Sequence, residues 1–346
     1  MPQEAFVVNL ASKKGLRRRR RGLAWLALLL LAGAAYAQNC LSAPDMDASV
    51  RKALETTAQH YFEMSAHGDT TTLRQNSIAL VSANFAAVEA AVKENQTAFT
   101  GAQATVRPPF QLTAEGSEPL ARAEFLCGVF GKTGQTSNSA VFVLNNLPPG
   151  KYGVAILDVS GGKEPRTLTL VLQQMGGDWK LAGYYARLSE AGGHNGAWFE
   201  QRARDFKAKS ENHNAWLYYR EAIALDSPVD FMGTLATDKL YDEVHATQPS
   251  DMPANESEAV LSAGGKSYRW TEIFPLAVGS DLDVVVKYAF PDISNTQKTF
   301  QENMAVIKAL VAKFPELRNA FAGVVARAVD PSGQDYGSML PMKEIK

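Results

Sequence analysis

Histidine and cysteine are scarce in this chain, with five and two among 346 residues. His60, His67, His194, His213 and His245 form no H-x-x-x-H or H-E-x-x-H pair and no Cys/His cluster, so no metal site is expected. Nucleophile motifs are missing too. There is no Gly-x-Ser-x-Gly elbow, and neither cysteine has an activating neighbour in sequence. Gly131-Lys132-Thr133 lacks the upstream glycine that a phosphate-cradling loop needs, so Lys132 reads as a hairpin tip and no cofactor is expected. Asp281 and Asp283 alternate with apolar residues and read as solvent-facing, and two carboxylates alone do not hold calcium.

Long apolar runs are nearly absent. The exception, Leu23 to Ala35, follows a cationic block (Lys13, Lys14, Arg17 to Arg21) and leads into Ala35-Tyr36-Ala37. That order is a secretory signal peptide over residues 1–37, with cleavage after Ala37 and a periplasmic or extracellular destination. The run falls short of the ~20 residues of a membrane span. An uncleaved anchor, twin-arginine export and lipidation of Cys40 are the alternatives, although Gln38-Asn39 puts bulky polar residues where a lipidation signal needs small ones. Removing residues 1–37 takes away seven basic residues and one acid, leaving 28 basic against 35 acidic residues and a net charge of −7. An acidic exported chain argues against nucleic acid as a partner, and no later run can cross a membrane. In an oxidising compartment Cys40 and Cys127 can pair. The other reading makes Cys127 a small buried thiol within Ala-Glu-Phe-Leu-Cys-Gly-Val-Phe.

Residues 46–97 carry apolar positions at three- and four-residue steps (Val50, Leu54, Thr57, Tyr61, Met64), which predicts helices with one core-facing side. Asp69 and Ser82 are placed to cap the second and third. From residue 105 the period becomes two, predicting strands over 105–113, 121–130, 139–147, 152–159, 166–174 and 179–187, punctuated by glycine and proline. In the last, Trp179, Leu181, Gly183 and Tyr185 share one face and Lys180, Ala182, Tyr184 and Ala186 the other. The fold class is therefore α+β, with helices packed on a curved, cone-like antiparallel sheet.

The helix order, the sheet and the ending Asp178-Trp-Lys-Leu-Ala-Gly-Tyr184 resemble the nuclear transport factor 2-like (cystatin-like) superfamily over residues 45–190. A competing likeness lies in Leu147-Pro-Pro-Gly-Lys-Tyr152, which is similar to the strand-turn element of carboxypeptidase-regulatory-like sandwiches. Beyond a glycine-rich linker, Phe199, Ala203, Phe206, Ala215, Tyr219, Ala222 and Pro228 resemble one tetratricopeptide repeat within a helical segment over 195–248. A single repeat cannot bury its own face and must pack on something. Residues 258–340 read as a small β-β-α-β unit whose helix is capped by Ser294 with Gln297.

Enzymes of the nuclear transport factor 2-like superfamily use an acid or histidine with a tyrosine inside the cone. The resemblance therefore directs attention to His60, Tyr61 and Tyr184, with Glu124, Asp158 and Tyr185 on the sheet, though no enzyme motif maps onto them. Tyr61 also fits as a core tyrosine on the apolar stripe. The leading expectation is an exported, non-enzymatic binding or assembly protein whose partner is another envelope or secreted protein. An isomerase- or cyclase-like enzyme using the cone cavity is the alternative. A homodimer through an outer sheet face bearing Val141, Val143, Leu168 and Leu170 is a third reading.

Overall fold

The computed structural model describes residues 38–253 and 259–346, so the signal-type segment lies outside the described residues. In chain order the first elements are β1 (Gln38–Leu41), α1 (Ala48–Ala66), α2 (Thr70–Gln75), α3 (Ala79–Ala83), α4 (Ala86–Phe99), β2 (Gln103–Val106), β3 (Phe110–Ala114), β4 (Leu120–Gly131), β5 (Gly134–Leu147), β6 (Gly150–Ser160), β7 (Arg166–Met175) and β8 (Asp178–Leu188). Then come β9 (Glu190–Ala191), β10 (His194–Asn195), α5 (Gly196–Ala208), α6 (Asn212–Asp226), β11 (Met232–Thr234), α7 (Leu235–Thr247), β12 (Ala259–Ala263), β13 (Lys266–Val278), β14 (Asp281–Ala289), α8 (Thr296–Lys313), β15 (Gly323–Val329) and β16 (Asp335–Pro341). They divide into two compact units. The first runs to Leu188 and includes Ser227–Leu235; the second joins Ser189–Asp226 to Ala236–Lys346.

The first unit contains two sheets rather than one cone. The larger has the order β1-β3-β6-β7-β8, with β2 also on β6, and the smaller is β11-β5-β4. Pro148-Pro149 makes the switch from β5 in one sheet to β6 in the other, and the Tyr152 hydroxyl donates to Pro148 O at 2.8 Å across that turn. The segment expected as one strand over 105–113 is broken at Pro108-Pro109, where no N–H is available to a ladder.

Both faces of β6, β7 and β8 are buried. The helices cover one face through Leu54, Tyr61, Phe62, Val88, Val92 and Phe99, packed against Leu157, Leu168, Leu170 and Leu181. The small sheet covers part of the other through Phe125, Phe142 and Leu144, packed against Val154, Ile156 and Tyr185. Leu168 and Leu170 therefore lie under helices and are unavailable to a dimer. Gly153 sets the helix-to-sheet spacing, because a Cβ there would stand 2.2 Å from Leu54 Cδ2. At the end of α1, Gly68 takes φ +68°, and Asp69 accepts from Thr72 N at 3.0 Å as the cap of α2. Ser82 caps nothing: it lies inside α3, and its carbonyl accepts from Arg74 Nε.

A bulge in β8 overturns the expected alternation. Val171 pairs with Gly183 but Leu172 with Leu181, leaving Ala182 as the extra residue. Trp179, Leu181 and Tyr184 thus face the helices, while Ala182 and Tyr185 face the small sheet. The strict period-two reading had put Tyr185 with Trp179 and Tyr184 on the opposite side.

In the second unit the sheet order is β12-β13-β14-β15-β16, antiparallel except for β14 and β15, which are parallel and joined by α8. Phe199, Ala203, Phe206, Ala215, Tyr219 and Ala222 of the α5–α6 hairpin share one core with Trp270, Ile273, Val284, Ile307 and Leu310. The hairpin's packing partner is therefore the sheet of its own unit, while Ser227–Leu235, inside the expected segment 195–248, belongs to the first unit. The cap of α8 is Asn295, accepting from Lys298 N at 3.0 Å, one residue beyond Ser294. Asp283, expected in solvent, is 5% exposed, and burial followed by the neighbouring Asp281 raises its pKa. Its carboxylate lies over Gly323, where a Cβ would stand 2.7 Å from Oδ1.

Candidate functional site

Tyr61 is the best-connected of the expected cavity residues, and its bonds go to backbone. Its hydroxyl donates to Asn76 O at 2.6 Å and accepts from Leu181 N at 3.1 Å. Leu181 stands beside the bulge on the outer edge of β8, where Ile78 N donates to Leu181 O at 2.9 Å and Leu181 N donates to Asn76 O at 3.0 Å. Tyr61 and residues 76–78 therefore satisfy polar groups on the open edge of β8, the last strand of its sheet. Burial pushes the Tyr61 phenol up to about 12, and the Leu181 N–H offsets part of that rise.

His60, next in sequence, points the other way. It is exposed on the solvent side of α1 with Glu55, Gln59 and Glu63, along an open depression of about 470 Å³. Tyr184 is fully buried among the helices, and its hydroxyl has no hydrogen bond of acceptable geometry. Burial raises its pKa, offset only in part by Ser65, whose own hydroxyl donates to Tyr61 O at 2.8 Å. Glu124 lies on the outer face of β4 beside Arg122, and Asp158 is held by the Arg107 guanidinium. The structure thus keeps Tyr61 and Tyr184 in one core and places His60, Glu124 and Asp158 away from them. Among the described residues no acid or base is bonded to either tyrosine, and the interior around them is packed with Phe62, Phe99, Val92 and Leu170.

Cys40 and Cys127 are joined in a disulfide that ties β1 to β4 across 87 residues. The Gln38 side-chain oxygen accepts from Glu124 N at 2.5 Å, a second tie between the same strands.

The outer face of the small sheet carries apolar residues next to a charged pair. Leu126 pairs with Val141 and Glu124 with Val143. Leu126 is 56% exposed, Val129 near the hairpin tip is 65% exposed, and Val141 and Val143 are half-buried.

In the second unit, sequence reading missed two polar clusters. His213 lies between Glu316, on Nδ1, and Asp251, on Nε2 at 3.0 Å, with Phe314 against the ring at 4.5 Å. Its partners are 103 and 38 residues away, so no local pattern marks it. On α6, burial pushes the Glu221 pKa up to about 7, with Arg220 opposing. Elsewhere Glu302 accepts from Lys266 and Tyr268, which lower its pKa despite burial, while Tyr288 donates to Asn303 at 2.8 Å.

Among the described residues no three of His, Cys, Asp and Glu are grouped to hold a metal ion. No helix among them is long and apolar enough to cross a membrane. Comparison with protein-family models, with curated proteins and with solved structures returns no match.

Proposed function

We propose that this chain is an exported, non-enzymatic binding or assembly protein that contacts another envelope or secreted protein through the outer face of β4 and β5. The supporting observation is that Leu126 on β4 faces outward opposite Val141, with Val143 two residues on, on a sheet whose inner face is used as core. The Arg122–Glu124 pair lies on the same face, with Glu124 opposite Val143, so the surface offered to a partner is apolar at Leu126 and Val141 and charged beside them. The helix–sheet architecture keeps the likeness to the nuclear transport factor 2-like superfamily as a proposal about ancestry. The tetratricopeptide-like hairpin no longer supports partner binding, since it is consumed by its own unit's core.

The enzyme alternative needs a base facing a tyrosine inside the first unit, and His60 stands outside it. To test the binding reading, the mature chain and its Leu126→Glu variant are used to capture partners from the native envelope fraction. A stoichiometric protein held by the wild type and lost by the variant supports the proposal. Equal capture by both removes this face from consideration, and a small molecule that co-purifies in place of a protein favours the enzyme reading.

A further inference from the structure

We propose that export creates a modification site: cleavage after Ala37 leaves Gln38 as the N-terminal residue, and it cyclises to pyroglutamate. The inference rests on the export reading, and the fold supplies one hydrogen-bond donor to the reacting carboxamide. Gln38 opens β1 and pairs with Ala114 of β3, while Cys40, two residues on, is bonded to Cys127, so the new terminus is held on the sheet. The Gln38 Oε1 accepts from the Glu124 backbone N–H at 2.5 Å, and the carboxamide nitrogen Nε2 has no protein partner among the described residues.

In the reaction the free α-amine attacks Cδ of its own side chain, forming the N–Cδ bond and placing negative charge on Oε1. The Glu124 N–H is already aimed at that oxygen, where charge develops. The Cδ–Nε2 bond then breaks, and Nε2 leaves as ammonia with the proton given up by the amine. No oxidant or second reagent is needed. The product keeps an acceptor oxygen on Cδ and an N–H on the ring, but loses the positive charge of a free terminus. A charged ammonium at a half-buried strand end is unfavourable unless paired, so the neutral lactam suits the position better.

The full precursor is expressed in an exporting bacterial host, and amines on the native mature protein are labelled before unfolding and digestion, so that later cyclisation is not counted. Tandem mass spectrometry is expected to find a first peptide that begins at Gln38, is lighter by one ammonia and carries no α-amine label. A peptide beginning at Gln38 with a labelled α-amine overturns the cyclisation and leaves export standing. An unprocessed chain, or a terminus elsewhere, overturns both. Glu124→Pro removes the N–H while keeping an edge-strand position, and it is expected to slow cyclisation about fivefold, the equivalent of one ordinary hydrogen bond. Equal rates overturn the role given to the Glu124 amide.

Discussion

Removing one hydroxyl at a time from Tyr61 and Tyr184 separates a structural interior from a catalytic one. Tyr61→Phe deletes a bond to Asn76 O at 2.6 Å and one from Leu181 N at 3.1 Å. At about 1 kcal/mol net for each, the loss is about 2 kcal/mol. For a unit of this size that lowers Tm by about 6 °C. Tyr184→Phe removes a buried hydroxyl whose approach to Ser65 falls short of a good hydrogen bond, so the change is neutral or stabilises by about 1 kcal/mol. The assay is thermal and urea unfolding of the mature chain labelled with fluorotryptophan. Trp179 reports the first unit, while Trp198, Trp216 and Trp270 report the second. The reasoning is refuted if Tyr184→Phe destabilises by 2 kcal/mol or more, on the order of a buried bond lost, while Tyr61→Phe leaves the Trp179 transition unmoved.

Three further outcomes follow from the same geometry. Glu221 has its folded pKa raised from 4.5 to about 7, so its contribution is present below 4.5 and lost as pH rises through 7. Glu221→Gln should therefore stabilise the second unit by up to roughly 3 kcal/mol at pH ~8 and little at pH ~5, read from paired urea titrations. Replacing both cysteines with serine opens a loop of 87 residues, and the chain-entropy model gives a loss of about 4.6 kcal/mol, measured against the oxidised protein. Gly153→Ala drives a methyl into Leu54, which is fully buried, and should cost about 2 kcal/mol in the Trp179 transition.

Much of the first unit was legible because its strands alternate and its helices keep a stripe. The strands from β4 to β8 lie where period two placed them, and Asp69 caps where its spacing said. The failures have physical causes. A four-residue strand such as β1 carries too little pattern to register, and β11 enters its sheet from a distant segment. The bulge at Ala182 shifts the side-chain phase by one residue, and no local propensity announces it. That one event moved Tyr184 under the helices and Tyr185 to the opposite face, and with them the expected cavity. Ser82 and Ser294 missed as caps because Phe85 and Asn295 begin the helices instead. His213 was opaque because its carboxylates come from remote parts of the chain.

Binding through the outer face of the small sheet is the claim on which the functional account turns. Its most direct test is capture from the native envelope fraction by wild type, Leu126→Glu and Tyr184→Phe, each first shown to unfold through a single cooperative Trp179 transition no lower than that of the wild type. The account predicts one stoichiometric protein partner held by wild type and Tyr184→Phe and lost by Leu126→Glu. A partner retained by Leu126→Glu, or a bound small molecule lost with Tyr184→Phe, would contradict it.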